Sequence, residues 1–385
     1  MKENNRKKIL FVIPTYQIGG VTTSLYAFLT QIDRERFDVS LFCRNQEGPF
    51  KESFENICNV LPENIWLSVF IRHGGWVKKI SCQLLRFFRG VLCKMGVNLF
   101  PAYGRIGGKQ LGTQNYDCVV SFHEDLSPIV CYYPAKKRIA WIHCDYRRQQ
   151  AAIGKSELKE YGLYDKIVCV SDFVKNIFAE IYPSLADRVC ALHNVVDIDS
   201  IKQRAQEDIS KDTSYDTSCF TIVSVGRLHP VKQFEKIPAI AAEVKKITDK
   251  PFKWYIIGGS RGFDDAEKKM KNDISQLGLQ NQVVLLGEKK NIYPYLSKAN
   301  LFVCTSWSES FPMVVLESRA LNVPIVSNDF PSVYETMVDG KEGRIVPIEG
   351  MPEVIAQMVN HPFAINSNGL DQKEILESFN NILTE

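Results

Sequence analysis

An α/β protein made of two doubly wound parallel-sheet domains is what this sequence predicts, on three observations. Short apolar runs alternate with helical patterns along most of the chain, which implies parallel strands joined by helical crossovers. At 385 residues the chain exceeds one ordinary core and suits two. Glycine pairs, histidines, cations and carboxylates fall just after apolar strands, where open α/β sheets bind ligands.

The first domain, 1–196, opens with strand Ile9–Ile13, the turn containing Gly19 and Gly20, a helix over 24–31 and strand Phe37–Cys43. This is a βαβ unit in which a glycine pair lets a backbone approach a ligand or simply makes a tight turn. It is neither G-x-G-x-x-G nor a G-x-x-x-x-G-K-[ST] phosphate loop, so generic dinucleotide and NTPase readings lose support. Over 76–95 one helical face holds Trp76, Val77, Ile80, Leu84, Phe87, Phe88, Val91, Leu92 and Met95, with Lys78, Lys79, Arg86 and Arg89 opposite. That is the composition of an interfacial membrane helix, or of a surface helix with a solvated basic face. Strands over 117–121 and 138–142 run into His123 and His143, and strand 166–171, a helix from Asp172 and strand 189–194 complete the domain.

A polar segment, 197–218, reads as the linker; Asp197-Ile198-Asp199 within it looks like a D-x-D metal signature but reads as a helix cap. The second domain, 219–366, alternates strands 220–226, 254–259, 283–287, 301–305, 324–328 and 344–347 with helices 234–247, 264–277, 292–298 and 333–338. A further helix starts near Pro312, placed at a first helical position where a missing N–H costs nothing. Residues 367–385 form a closing helix over 373–384.

Composition narrows the class. Hydrophobic content of 45% and charged content of 24% are those of a globular protein, and no run approaches the ~20 apolar residues of a membrane span. The run Ile9–Ile13 is too short for a signal-peptide core. Eleven cysteines without a C-x-x-C pair read as reduced thiols rather than a zinc site or disulfide framework. Residues 1–196 hold 26 Lys and Arg against 18 Asp and Glu, a net +8, leaving 197–385 at −5. From Ile65 to Tyr116 there are eight cations and no acid, which points to an anionic membrane surface, rather than nucleic acid, as partner.

The chemistry concentrates in the second domain. Arg227 and Lys232 follow its first strand, while Glu309 and Glu317 follow a later one, eight positions apart. Loops at strand carboxyl ends converge, so the two cations can grip a diphosphate, Arg227 as a fork and Lys232 as a point charge. Glu317 can accept hydrogen bonds from ribose and Glu309 from a sugar. Two solvated glutamates at a helix start are the bland alternative. A nucleotide sugar would satisfy the whole set.

With Gly226-Arg227-Leu228-His229-Pro230-Val231-Lys232, Glu309-x7-Glu317 with Phe311 between, Gly19-Gly20, His143 and Asn194-Val195-Val196-Asp197, the chain resembles the retaining glycosyltransferases of family 4. The resemblance implies the GT-B fold, two Rossmann-like domains facing across a cleft. It implies that Arg227 and Lys232 hold the donor diphosphate, Glu317 the ribose, and Glu309 the donor sugar. His143 would contact that sugar near the reacting carbon, and Gly19 and Gly20 would line the phosphate and acceptor side. Pro312 stands where the family often has glycine and offers no N–H, so the amides of Met313 and Val314 must serve. Val195-Val196 departs from the family's N-G-V-D order, which touches the turn more than the chemistry.

The implied activity is metal-independent, cofactor-free transfer with retention from a nucleotide sugar, a UDP-sugar for preference, to a glycan, lipid-linked in cell-surface polysaccharide assembly. The expected location is cytoplasmic, on the inner face of the cell membrane. A nucleotide-sugar epimerase or glycan phosphorylase on the same fold, and a non-catalytic nucleotide-sugar-binding module, are the rival readings.

Overall fold

Among the described residues, thirteen strands, all paired in parallel, build two separate sheets. They were traced in a computed structural model that describes residues 6–63, 98–148, 158–260, 262, 264–365 and 370–384. The basic helix expected over 76–95 lies outside the described residues. Chain contacts divide the protein into two units, residues 1–195 with 372–385, and residues 196–371.

The first unit contains β1 (Lys7–Thr15), β2 (Phe37–Asn45), β3 (Asn59–Val60), β4 (Cys118–Ser121), β5 (Lys137–Ile142), β6 (Lys166–Cys169) and β7 (Val189–Ala191). Their order in the sheet is β3-β2-β1-β4-β5-β6-β7. β1 is apolar from Ile9 to Ile13 and wholly buried there, as expected of a central strand covered on both faces. Helix Gly20–Gln31 begins four residues before the expected Ser24, because the glycines themselves join its first turn.

Among the elements of this unit that escaped the sequence reading are β3 and the helix Phe100–Gln110. β3 is only two residues long. Helix Phe100–Gln110 contains four residues of poor helix propensity, among them Gly104 and Gly108. Their absence of a side chain is what lets the helix dock: a Cβ on Gly104 would stand 2.5 Å from the Ile129 carbonyl oxygen. Packing therefore overrides propensity.

The last helix, Lys373–Thr384, packs on the first unit although it follows the second in sequence. Phe379 is fully buried and stacks on Phe28 with ring centroids 4.4 Å apart. Lys7 and Lys137 donate to the carbonyls of Thr384 and Ile382, both at 2.7 Å, capping its C-terminal end with positive charge.

The second unit contains β8 (Phe220–Val225), β9 (Phe252–Ile257), β10 (Val283–Gly287), β11 (Leu301–Cys304), β12 (Ile325–Ser327) and β13 (Gly343–Ile345). Their order is β10-β9-β8-β11-β12-β13. Two clusters of buried apolar side chains flank the sheet, one around Trp254, Leu301 and Ile355, the other around Tyr255, Phe302 and Val315. The expected helix 333–338 is a 3₁₀ turn, Pro331–Glu335, and helix Met351–Asn360, which the sequence reading did not name, packs on the core.

Segment 197–218, expected as a linker, goes with the second unit. Asp197 caps helix Ile198–Arg204 by accepting from the Ser200 amide at 3.0 Å. Asp212 then pairs with Lys289 and accepts from the Tyr295 hydroxyl, and Asp216 pairs with Lys253. Nine of the cysteines are free thiols in the described residues.

Candidate active site

Strand order decides where each sheet offers a binding crevice. In the second sheet the order reverses between β8 and β11, and open sheets of this kind bind ligands outside the carboxyl ends of the strands at such a point. The loop after β8 carries Arg227 and Lys232; the loop after β11 carries Glu309. The structure brings Lys232 and Glu309 into direct contact, with Nζ 2.6 Å from Oε1. Ser306 Oγ donates to the same oxygen at 2.6 Å.

Both loops are fixed by further hydrogen bonds. Thr305 Oγ1 donates to the Lys232 carbonyl at 2.6 Å, the Trp307 amide to the Val231 carbonyl at 3.0 Å, and Ser332 Oγ to the Glu309 carbonyl at 2.6 Å. Burial alone would lower the Lys232 pKa, but the Glu309 carboxylate outweighs it and the net direction is up. The lysine stays charged. Arg227 is exposed, and close enough to Lys232 for its charge to oppose that of the lysine.

The floor beneath this pair is backbone. Gly226, one residue past β8, has a φ of +156° that suits glycine, and its amide donates to the Ile257 carbonyl at 2.9 Å. Gly258, one residue past β9, has φ +152°, and a Cβ there would stand 1.8 Å from the Gly226 carbonyl oxygen. Only glycine allows these strand ends to lie so close. The Gly258-Gly259 doublet after an apolar strand was visible in the sequence and was not singled out.

Pro312 precedes helix Met313–Ala320 as its cap residue instead of occupying the first helical position, with ψ at 90°. No side chain caps this helix. Phe311 and Met313 are buried, and Val314 is half-buried against the apolar cluster around Val315. Glu317, one turn in, is 5% exposed and accepts from the Tyr293 hydroxyl at 3.2 Å. Its pKa is raised to about 7 by burial, against the lowering pull of the Tyr293 hydrogen bond and of Arg204 and Lys232. Arg204 lies over the Tyr293 ring, 4.6 Å from its centroid. Neither Tyr293 nor Arg204 was found by sequence reasoning, since nothing in their local sequence ties them to a carboxylate.

In the first sheet the order reverses between β1 and β4. Gly19 and Gly20 follow β1, His123 follows β4 and His143 follows the adjacent β5. Gly19 has an extended backbone, φ 177°, and a Cβ there would meet nothing within 4 Å. Gly20 is the first residue of its helix. The structure thus imposes no glycine at position 19. Asn194, from the Asn194-Val195-Val196-Asp197 run, is buried and accepts from Ser24 Oγ at 2.6 Å, tying that helix to the sheet.

His143 is half-buried, packed on Phe122 at 4.8 Å between ring centroids and stacked near His123 at 6.4 Å. Its Nε2 is buried and has no hydrogen-bond partner among the described residues. Burial first, and His123 second, push its pKa well below the ordinary histidine value, so the ring is neutral. The His143 amide donates to Glu124 Oε2 at 3.0 Å.

Two parallel sheets, each with polar and charged side chains at its topological switch point, define a protein of the two-domain Rossmann-like class. A family model described as "Glycosyltransferase Family 4" matches residues 18–200 and one described as "Glycosyl transferases group 1" matches residues 205–363. The chain belongs to this family 4, group 1 type of GT-B glycosyltransferase.

Among curated relatives it is 31% identical over 172 residues to an uncharacterized glycosyltransferase of Methanocaldococcus jannaschii, covering 44% of this chain and 41% of that protein. It is 30% identical over 186 residues to a Campylobacter jejuni enzyme named N-acetylgalactosamine-N,N'-diacetylbacillosaminyl-diphospho-undecaprenol 4-alpha-N-acetylgalactosaminyltransferase, covering 47% of this chain and 44% of that one. The chain therefore spans less than half the length of these relatives. Among solved structures, Anabaena HepE in complex with UDP and glucose aligns with a TM-score of 0.67 at 16% identity, over 98% of this chain and 95% of that one. At that identity the likeness shows the fold alone.

Proposed function

We propose that this protein is a retaining glycosyltransferase that moves a sugar from a UDP-sugar to a hydroxyl of a glycan, lipid-linked during cell-surface polysaccharide assembly. The observation that supports it best is the Lys232–Glu309 pair at 2.6 Å on the β8/β11 switch point, with buried Glu317 on the helix that follows Glu309's loop. Lys232 and Arg227 would bind the diphosphate and stabilise the charge that develops on it as it leaves. Glu317 would accept from the ribose hydroxyls, with the amides of Met313 and Val314 at the uncapped helix start available to phosphate or sugar oxygens.

Glu309 would orient the donor sugar. Its existing bond to Lys232 means that a bound phosphate competes for the lysine and leaves Glu309 more open to sugar hydroxyls. His143 would contact a substrate sugar through Nε2, which has no hydrogen-bond partner among the described residues. In the transfer, the bond from the anomeric carbon to the phosphate oxygen breaks and one to the acceptor oxygen forms on the same face. The acceptor's proton passes to the departing phosphate.

The Campylobacter relative's name specifies an undecaprenol-diphosphate-linked acceptor, and the HepE structure holds UDP, which motivates both choices. A thermal-shift screen across UDP-, GDP- and ADP-sugars tests the donor; no shift with any of them would refute the assignment. Release of UDP only when a glycan acceptor is added would separate a transferase from a binding module. Full turnover in EDTA is the expected result for a metal-independent enzyme.

No helix among the described residues is long and apolar enough to cross a membrane. Peripheral association with the inner leaflet through the basic segment 76–95 is part of the proposal. Each Lys or Arg near an anionic leaflet is worth about 1 kcal/mol, so replacing Lys78, Lys79, Arg86 and Arg89 by glutamine should abolish salt-sensitive sedimentation with anionic liposomes. Wild-type protein that stays in the supernatant at low salt would favour a soluble acceptor.

A further inference from the structure

We propose that Glu124 is a positioning residue for the histidine site of the first unit, acting on His143 through its backbone amide. The inference rests on the reading of His143 as a substrate-facing group. It comes from four observations about a carboxylate that the sequence reading passed over.

Glu124 is 5% exposed, yet it sits in the turn after β4 instead of inside a strand or long helix. A buried carboxylate is tolerated only when donors surround it. Its Oε2 accepts from the His143 amide at 3.0 Å, and the carboxylate joins burial in pushing the pKa of the neighbouring Cys144 thiol up. The β5–β6 ladder ends at Ile142, where the Val170 amide donates to its carbonyl, so the His143 amide lies beyond the strand and would otherwise need another acceptor.

The turn that presents Glu124 is itself held firmly. The His123 carbonyl accepts from Ser121 Oγ at 3.2 Å and from Ser127 Oγ at 3.4 Å, and both serines are fully buried. His123 Nδ1 accepts from the Asp125 amide at 3.1 Å. Glu124 Oε2 lies 4.0 Å from that Nδ1. One carboxylate in the turn after β4 thus holds the first residue beyond the adjacent β5. Placing His143 to within a few tenths of an ångström is what a reacting centre demands of its supporting shell.

A double-mutant cycle on UDP release from the sugar nucleotide chosen in the donor screen tests this. His143→Ala is expected to cost about 100-fold in kcat, and Glu124→Ala about 10- to 100-fold with donor KM changed less than about 3-fold. If Glu124 acts through His143, adding Glu124→Ala to His143→Ala costs less than about 3-fold more. Multiplicative losses overturn the inference and leave the reading of His143 standing; full activity in His143→Ala overturns both.

Should Glu124→Ala fail to fold, Glu124→Gln, which keeps an acceptor oxygen, takes its place with a smaller loss and the same non-additivity. Independently of turnover, the imidazole ¹⁵N signals of His143 are expected to shift in Glu124→Gln and to stay in place in the surface control Lys136→Gln. An unmoved His143 signal in Glu124→Gln overturns the assignment.

Discussion

The switch points of the two sheets solve one problem in opposite ways. In the second unit, charge is met by charge: Lys232 is held against Glu309 at 2.6 Å, and burial fails to discharge the lysine. In the first unit, burial wins. Among the described residues no carboxylate pairs with the His143 ring nitrogens, and desolvation keeps the ring neutral. Glu317 shows that this is not a property of one unit, since burial drives its carboxyl up to about 7 while Tyr293, Arg204 and Lys232 pull the other way. The general lesson is that the sign of the pH response follows the charge type, and its size follows how completely a partner offsets burial.

The largest effect expected tests the backbone floor beneath the charged pair. Gly258→Ala forces a Cβ to within 1.8 Å of the Gly226 carbonyl at a φ of +152°, and should destabilise the protein by about 3 kcal/mol or more in urea unfolding. A loss under about 1 kcal/mol would show that the strand ends can part freely.

Lys232→Ala should weaken nucleoside diphosphate binding by about 2–4 kcal/mol by calorimetry, with Arg227→Ala also weakening it. Equal and full affinity in both variants would remove the diphosphate from this crevice. Glu317→Ala should mainly raise donor KM and Glu309→Ala mainly lower kcat; losses in the same parameter and proportion would end that division of labour.

The two buried titratable groups sharpen the comparison through pH. Glu317 binds its proton more tightly folded than unfolded, so its contribution to stability falls as pH rises from about 4.5 through about 7, by up to roughly 3 kcal/mol. His143 binds its proton less tightly folded, so its contribution is lost as pH falls below the ordinary histidine value, at up to about 1.4 kcal/mol per pH unit. Chemical unfolding from pH 5 to pH 8 should therefore show that Glu317→Gln steepens the rise in stability with pH, while His143→Gln flattens it. Changes of the same sign in both variants would refute the contrast.

The smallest effect belongs to the glycine pair that first drew attention. Gly19→Ala should change stability by less than about 0.5 kcal/mol, because its backbone is extended and nothing lies within 4 Å of the added Cβ. A large loss of donor or acceptor binding with the fold intact would assign position 19 a close contact with substrate instead.

The alternating sheet-and-helix architecture was legible in the sequence because strands such as Ile9–Ile13 and Leu301–Cys304 are buried on both faces and read as unbroken apolar runs. Lys232, Glu309 and His143 stood out as candidates because they sit in loops that follow such runs, and Glu317 because it lies eight positions past Glu309. Strand order was not, since nothing local records which strands become neighbours; hence only the fold could set β8 beside β11 and join Lys232 to Glu309. Tyr293 and Arg204 reach Glu317 from sequence positions 24 and 113 residues away, and Gly104 marks a helix that propensity disfavours and packing against Ile129 permits. The return of Phe379 to stack on Phe28 has the same origin. Periodicity and turn chemistry are properties of neighbours along the chain, so the sequence alone determined the elements and their loops. Burial, pKa and ion pairing arise from groups brought together across the chain, and those the tertiary structure decided.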